Sequence, residues 1–168
     1  MRTVFDLEIR ANGYIESFNV EGIFVAAHFP YKHATAIKIP NGNILELSGM
    51  LGFNEKGIIP EPNNPFLQTK YALQNIALVI SAALVHYNHN RFLSGEIETL
   101  VSLEFIISTR VDLKNIKDIS EVNKAYKEVG VPYAARTAIE TGKLPLDALV
   151  EITATAFIPK AEQTFTGF

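Results

Sequence analysis

Apolar and polar positions along the chain switch between two periods. Phe5, Leu7 and Ile9 alternate with polar residues over 3–10, a second strand-like run covers 14–20, and Asn12-Gly13 between them is a hairpin turn signal. The apolar run 23–29, which carries His28, reads as a further strand. Runs 34–40 and 43–48 flank Pro40-Asn41-Gly42 and predict a second hairpin. Residues 54–57 and 60–64 are loops rich in Gly, Pro and Asn. Asn64-Pro65 then starts a helix that reaches about Leu84, with Leu73, Ile76, Ala77, Ile80 and Leu84 on one face. The polar stretch 86–98 reads as a surface insertion, and 97–111, rich in Val, Ile, Thr and Phe, as a strand. A second helix is predicted from Ser120 to Val129, with Val122, Ala125, Tyr126 and Val129 inward and Gly130 as its stop. Residues 136–141 and 147–157 are the last two strands. Strands, helix, strand, helix, strands is the order of an α+β fold, with two helices packed on one face of a mixed sheet.

Length and composition fit one domain over 1–168, with an N-terminal extension, 1–27, whose first part is the hairpin. A net charge of −3 argues against a nucleic-acid surface driven by bulk charge. The absence of cysteine excludes disulfides, thiol nucleophiles and thiolate metal sites. Asp6, Glu8 and Arg10 stand where a signal peptide needs apolar residues, and the longest apolar run, Ile76 to Val85, is too short to cross a bilayer. A cytoplasmic protein without a membrane partner is expected.

Two residues carry candidate chemistry. Glu151 lies within the apolar run 148–157, where desolvation raises the proton affinity of a carboxylate. Arg136 begins the preceding strand and offers a planar fork that matches a carboxylate or phosphate. Pattern alone favours a structural ion pair between them, or two solvent-facing side chains, over a site. His86-x-x-His89 has metal-ligand spacing but sits among Asn residues with no third ligand, so it reads as a solvated loop. His33 stands near Tyr31 as a candidate supporting group.

The segment from Arg136 through Leu144-Pro145 to Val150-Glu151-Ile152 resembles the C-terminal signature of the Rid (YjgF) family of enamine/imine deaminases. Further blocks agree in order. Pro30-Tyr31 with Ala34 resembles the family's Gly-Pro-Tyr-x-x-Ala, and Leu47-Ser48-Gly49 its Thr-Ser-Gly-Gln strand end. Gln68-Thr69 with Ala72-Leu73 and Asn75-Ile76 resembles the opening of its first helix, and Val122-Asn123 with Tyr126 its second. The resemblance spans about residues 29 to 159. It implies a chorismate-mutase-like fold, a homotrimer with sites between subunits, and hydrolysis of a reactive enamine or imine of the 2-aminoacrylate type.

By that resemblance Arg136 would bind the substrate carboxylate, Glu151 would activate water, and Tyr31 would line the pocket. Ser48, Gly49, Met50, Asn123 and Ala138 would complete the binding surface. No cofactor or metal is implied; the partners are a small carboxylate (an imine, an enamine or a 2-oxo acid) and other copies of the chain. Departures from the family pattern are Phe29 for Gly, Met50 for Gln, Ala134 for Pro and Ala138 for Cys. They make the pocket more apolar and bear on substrate range rather than reaction type. The alternatives are a non-catalytic, small-molecule-binding regulatory trimer and, third, a ribonuclease or translation inhibitor, which the mild acidity disfavours.

Overall fold

A computed structural model describes residues 4–24, 30–87, 99–131 and 134–160. Its strands are β1 (Val4–Arg10), β2 (Ile15–Val20), β3 (Ala34–Ile39), β4 (Gly42–Leu51), β5 (Ile106–Leu113), β6 (Ala135–Glu140) and β7 (Val150–Pro159). Its helices are α1 (Pro65–Tyr87) and α2 (Ile119–Val129). The strands form one mixed sheet in the order β1-β2-β3-β4-β7-β5-β6. Every neighbouring pair is antiparallel except β5 and β6. A parallel pair needs a crossover between its strands, and α2 supplies it.

Both predicted hairpins form. β1 and β2 turn through Ala11–Gly13, where Asn12 adopts a left-handed φ of 55°, a conformation Asn tolerates. β3 and β4 pair from Ala34↔Leu47 to Ile39↔Gly42 around Pro40-Asn41. The run 25–29 lies outside the described residues, as does 88–98 of the expected insertion.

Helix α1 starts where Asn64 caps it: the Asn64 Oδ1 accepts from the Leu67 amide at 3.0 Å, and Pro65 occupies the first turn. Leu73, Ile76, Ala77, Ile80 and Leu84 are all buried against the sheet and its neighbours. The helix runs beyond Leu84 because its last residues have partners on β2. Tyr87 donates to Glu16 Oε2 at 2.9 Å, and the His86 and Tyr87 rings pack on Phe18. Residues 86 and 87 therefore belong to the helix rather than to a loop. Helix α2 buries Val122, Ala125 and Val129 and ends at Gly130, whose φ of 76° is cheap only for glycine.

Two expectations need correction. Residues 99–105 form a 3-10 helix, and β5 begins only at Ile106. Leu103 is fully buried there and Ser102 Oγ donates to the Ala77 carbonyl at 2.8 Å, so docking on α1 overrides the β propensity of the run. Residues 145–147 likewise form a 3-10 turn, with Leu146 at a φ of 55°, and β7 starts at Val150.

Two buried amides join the layers. Gln68 donates to the Glu61 carbonyl and accepts from the Leu149 amide, both at 2.8 Å. Asn75 donates to the carbonyls of Leu51 and Phe53, both at 3.0 Å. They satisfy irregular backbone at the ends of β4 and β7, where an unpaired buried group costs about 1–3 kcal/mol. The strand ends that carry the candidate site are fixed in this way.

β7 alternates strictly. Val150, Ile152, Ala154, Ala156 and Ile158 are buried under the helices, while Glu151, Thr153, Thr155 and Phe157 point to the opposite, outer face. The outer face carries no helix layer among the described residues. β6, at the sheet edge, is largely exposed along its length.

Candidate active site

The expected site residues divide into two groups, and the sheet separates them. Glu151 pairs across the strands with Leu51 on β4 and Asp112 on β5, which places it on the outer face. Arg136 pairs with Thr109, whose side chain is buried on the helix face. Paired residues of neighbouring strands share a face. Arg136 and Glu151 thus lie on opposite faces of one sheet, three residues apart along β5. The structural ion pair, one of the two arrangements that pattern alone favoured, does not form within the chain.

Around Glu151 the chain makes room. The β4–β7 register shifts between Leu47 and Met50, a β-bulge at Ser48-Gly49. The Glu151 carboxylate rests over Gly49, and a Cβ built there would stand 1.9 Å from Oε1. Ser48 ties the bulge to the segment that carries Tyr31: its Oγ donates to the Lys32 carbonyl at 2.6 Å and its amide to the His33 carbonyl at 3.0 Å. Tyr31 is 53% exposed beside this junction. Burial pushes the Glu151 carboxyl above the usual carboxylate range, and the neighbouring Asp112 adds to the rise.

Arg136 has different company. It donates to Asn123 Oδ1 and stacks over the Tyr126 ring, 4.8 Å from the ring centre. Tyr126 in turn donates to Thr109 Oγ1 at 3.2 Å, and burial raises its phenol. Two residues along β6, Ala138 turns to the same face and packs against the core. Asn123 and Ala138 therefore lie on the same face as Arg136.

Met50 is not placed on either surface. It is 1% exposed and packs in the core under the helices, because the bulge returns β4 to its inward phase at that residue. His33 is structural: Nδ1 accepts from the Val20 amide at 2.9 Å, and Nε2 lies 3.0 Å from the Phe24 carbonyl. Burial lowers its proton affinity. The described residues hold no cluster of three potential metal ligands, and none of their helices is long and apolar enough to cross a membrane.

Two residues escaped the sequence reading. Arg110 and Asp112 stand on the outer face next to Glu151, joined in a bidentate ion pair. The alternation of Arg110-Val111-Asp112-Leu113 puts both on one face, but nothing local says that β5 adjoins β7. A shallow groove of about 410 Å³ runs along β5, lined by Glu46, Ser108, Arg110, Arg136, Thr137 and Thr153 among others.

The family model described as Endoribonuclease L-PSP matches residues 24–158. The chain belongs to this family, that of the Rid/YjgF proteins. It is 32% identical over 117 residues to the RutC family protein UK114 of Drosophila melanogaster, covering 69% of this chain and 73% of that protein. A RutC family protein of Pyrococcus horikoshii is 30% identical over 129 residues, covering 76% and 86%. Among solved structures, a Rid family protein of Yersinia pestis is 29% identical with a TM-score of 0.60, covering 80% of this chain and 93% of that one. The yeast YEO7 structure shares the fold at 22% identity, with a TM-score of 0.67 and coverage of 85% and 98%. The hairpin β1–β2 precedes the stretch that the Rid family model matches, and it extends the sheet beyond β3.

Gly49→Ala offers a clean test of how Glu151 is seated. The obstructing atoms are the far end of a flexible side chain, so the carboxylate swings aside at little cost to the fold. Melting temperature is expected to stay within a few degrees of wild type. The proton affinity of Glu151, read from its carboxyl carbon resonance, is expected to fall toward that of an exposed glutamate. An unchanged titration would mean that Gly49 does not govern the seat.

Proposed function

We propose that this Rid family member hydrolyses reactive enamines or imines of amino acids, of the 2-aminoacrylate type, to 2-oxo acids and ammonia. The observation that carries the reading is Glu151: a half-buried carboxyl of raised proton affinity, seated over a glycine on an open sheet face. Such a group suits a general base that must later return its proton. The enamine first tautomerises to the imine. Water then adds: its oxygen bonds to the imine carbon, one proton passes to Glu151, and the C=N electron pair moves to nitrogen. Glu151 returns its proton to nitrogen, the hydroxyl proton of the resulting carbinolamine follows, the carbon–nitrogen bond breaks as the carbonyl forms, and ammonia leaves.

Arg136 supplies the anchor for the substrate carboxylate in this scheme, with two parallel charge-assisted hydrogen bonds. Asn123 and the Tyr126 ring hold its guanidinium at the sheet edge. Arg136 and Glu151 face opposite ways in one chain, so a site with both draws them from different copies. A closed ring of three, using the uncovered outer face and the exposed β6 edge as contacts, satisfies that requirement through one repeated heterologous interface. Tyr31, Ser48 and Gly49 then come with Glu151 from one copy, and Arg136, Asn123 and Ala138 from the next.

A carboxylate-binding regulatory trimer is the second reading, since the Arg136 group binds without needing Glu151. A ribonuclease fits least well, because Glu151 and Asp112 together repel a phosphodiester. The deciding experiment generates 2-aminoacrylate in situ and follows pyruvate. Release faster than in buffer supports the deaminase; release at the buffer rate, with carboxylate binding intact, leaves the regulatory reading.

A further inference from the structure

A second carboxylate stands beside Glu151 on the outer face. Asp112 is its direct cross-strand partner, and its side chain is only 15% exposed. Acidic groups set opposite each other on a sheet repel. Arg110, two residues earlier on the same face, answers that repulsion from one side. Its Nε lies 3.0 Å from Asp112 Oδ2 and its Nη2 2.9 Å from Oδ1. The guanidinium thus engages both oxygens of Asp112, and among the described residues no cation pairs with Glu151.

We propose that Asp112, clamped by Arg110, is a positioning residue that sets the proton affinity of Glu151 for imine hydrolysis. The proposal rests on the deaminase reading of this site. Asp112 does not touch the reacting atoms in this scheme; it acts through its charge on the neighbouring strand. The like charge makes Glu151 a stronger base that ionises at higher pH, while Arg110 keeps the repulsion within bounds. Burial is the larger influence on Glu151, and Asp112 is the charged group that adds to it.

Within one chain the other charges near this end of the sheet are engaged elsewhere. On β4, Gly49 and Leu51 flank Glu151 and carry none, and Glu46 accepts from Thr155 Oγ1 further along. Lys32, beside Tyr31, pairs with Asp6, and Lys114 with Asp147 before β7. On β6, Ile139 is the partner of Asp112.

The test is a carbon-13 titration of glutamate-labelled full-length protein, with the Glu151 resonance identified by its loss in Glu151→Gln. In Asp112→Asn the midpoint is expected to fall, on the order of half a pH unit. In Arg110→Gln, an exposed position whose change leaves the fold intact, the midpoint is expected to rise by a similar amount, because the Asp112 charge is no longer offset. The acidic limb of the pH–rate profile should follow each shift, with KM unchanged. A purely structural role gives no such opposed pair. Midpoints that stay put, or that move the same way in both variants, overturn the proposal. Opposed shifts in a protein that releases no pyruvate support the coupling and overturn only the deaminase reading.

Discussion

Glu151→Gln is expected to lower turnover by roughly 10²- to 10⁴-fold, the usual worth of a general base. It should do so without weakening the fold. Burial and Asp112 make the folded-state proton affinity of Glu151 higher than in the unfolded chain. A group shifted in this direction favours the folded state below its unfolded pKa, about 4.3 for glutamate. That contribution is lost as pH rises through the folded value. At neutral pH the ionised carboxylate is thus held at a cost that neutral Gln does not carry. The melting temperature of the variant at pH 7 should equal or exceed that of wild type, and the difference should vanish in acid. Calorimetry across pH beside pyruvate assays checks both halves. Retained turnover with a large drop in melting temperature would make Glu151 a structural group.

Arg136→Lys is the second large effect. Lysine keeps the charge but loses the planar fork, the stack on Tyr126 and the lateral bond to Asn123. A hydrogen bond to a charged group contributes roughly 1.5–3 kcal/mol, so KM for a carboxylate substrate should rise about 10- to 100-fold. Turnover at saturation should change far less. Arg136 is exposed at the sheet edge, so its stability contribution is small. A variant with unchanged KM would remove Arg136 from the site.

Local chemistry made much of the fold legible. Asn12-Gly13 marks a turn with left-handed backbone at both residues, and Pro40-Asn41 breaks a run of strand formers between β3 and β4. Asn64-Pro65 and Gly130 bound helices by satisfying or ending them. The failures share one cause, which is docking at a distance. Residues 99–105 have strand-forming side chains but gain more by packing Leu103 on α1, and His86 and Tyr87 stay helical because Glu16 and Phe18 wait on β2. The site shows the same limit. Glu151, Gly49 and Ser48 could be grouped through the family resemblance, but the face on which each lies depends on the bulge at Ser48-Gly49 and on β5 lying between β6 and β7. Met50 followed the motif into the expected site, whereas the bulge turns it into the core. Asp112 and Arg110 could not be placed without the strand order.

In the assembly we propose, one working site takes Arg136 from one copy of the chain and Glu151 from another. Co-expression of Arg136→Lys with Glu151→Gln tests it directly, because each chain then carries one intact half. Random assembly into rings of three leaves about a quarter of the sites with both halves intact. The mixed protein should therefore recover about a quarter of wild-type kcat/KM, although each variant alone is impaired. Activity no higher than the mean of the two separate variants would contradict the shared site.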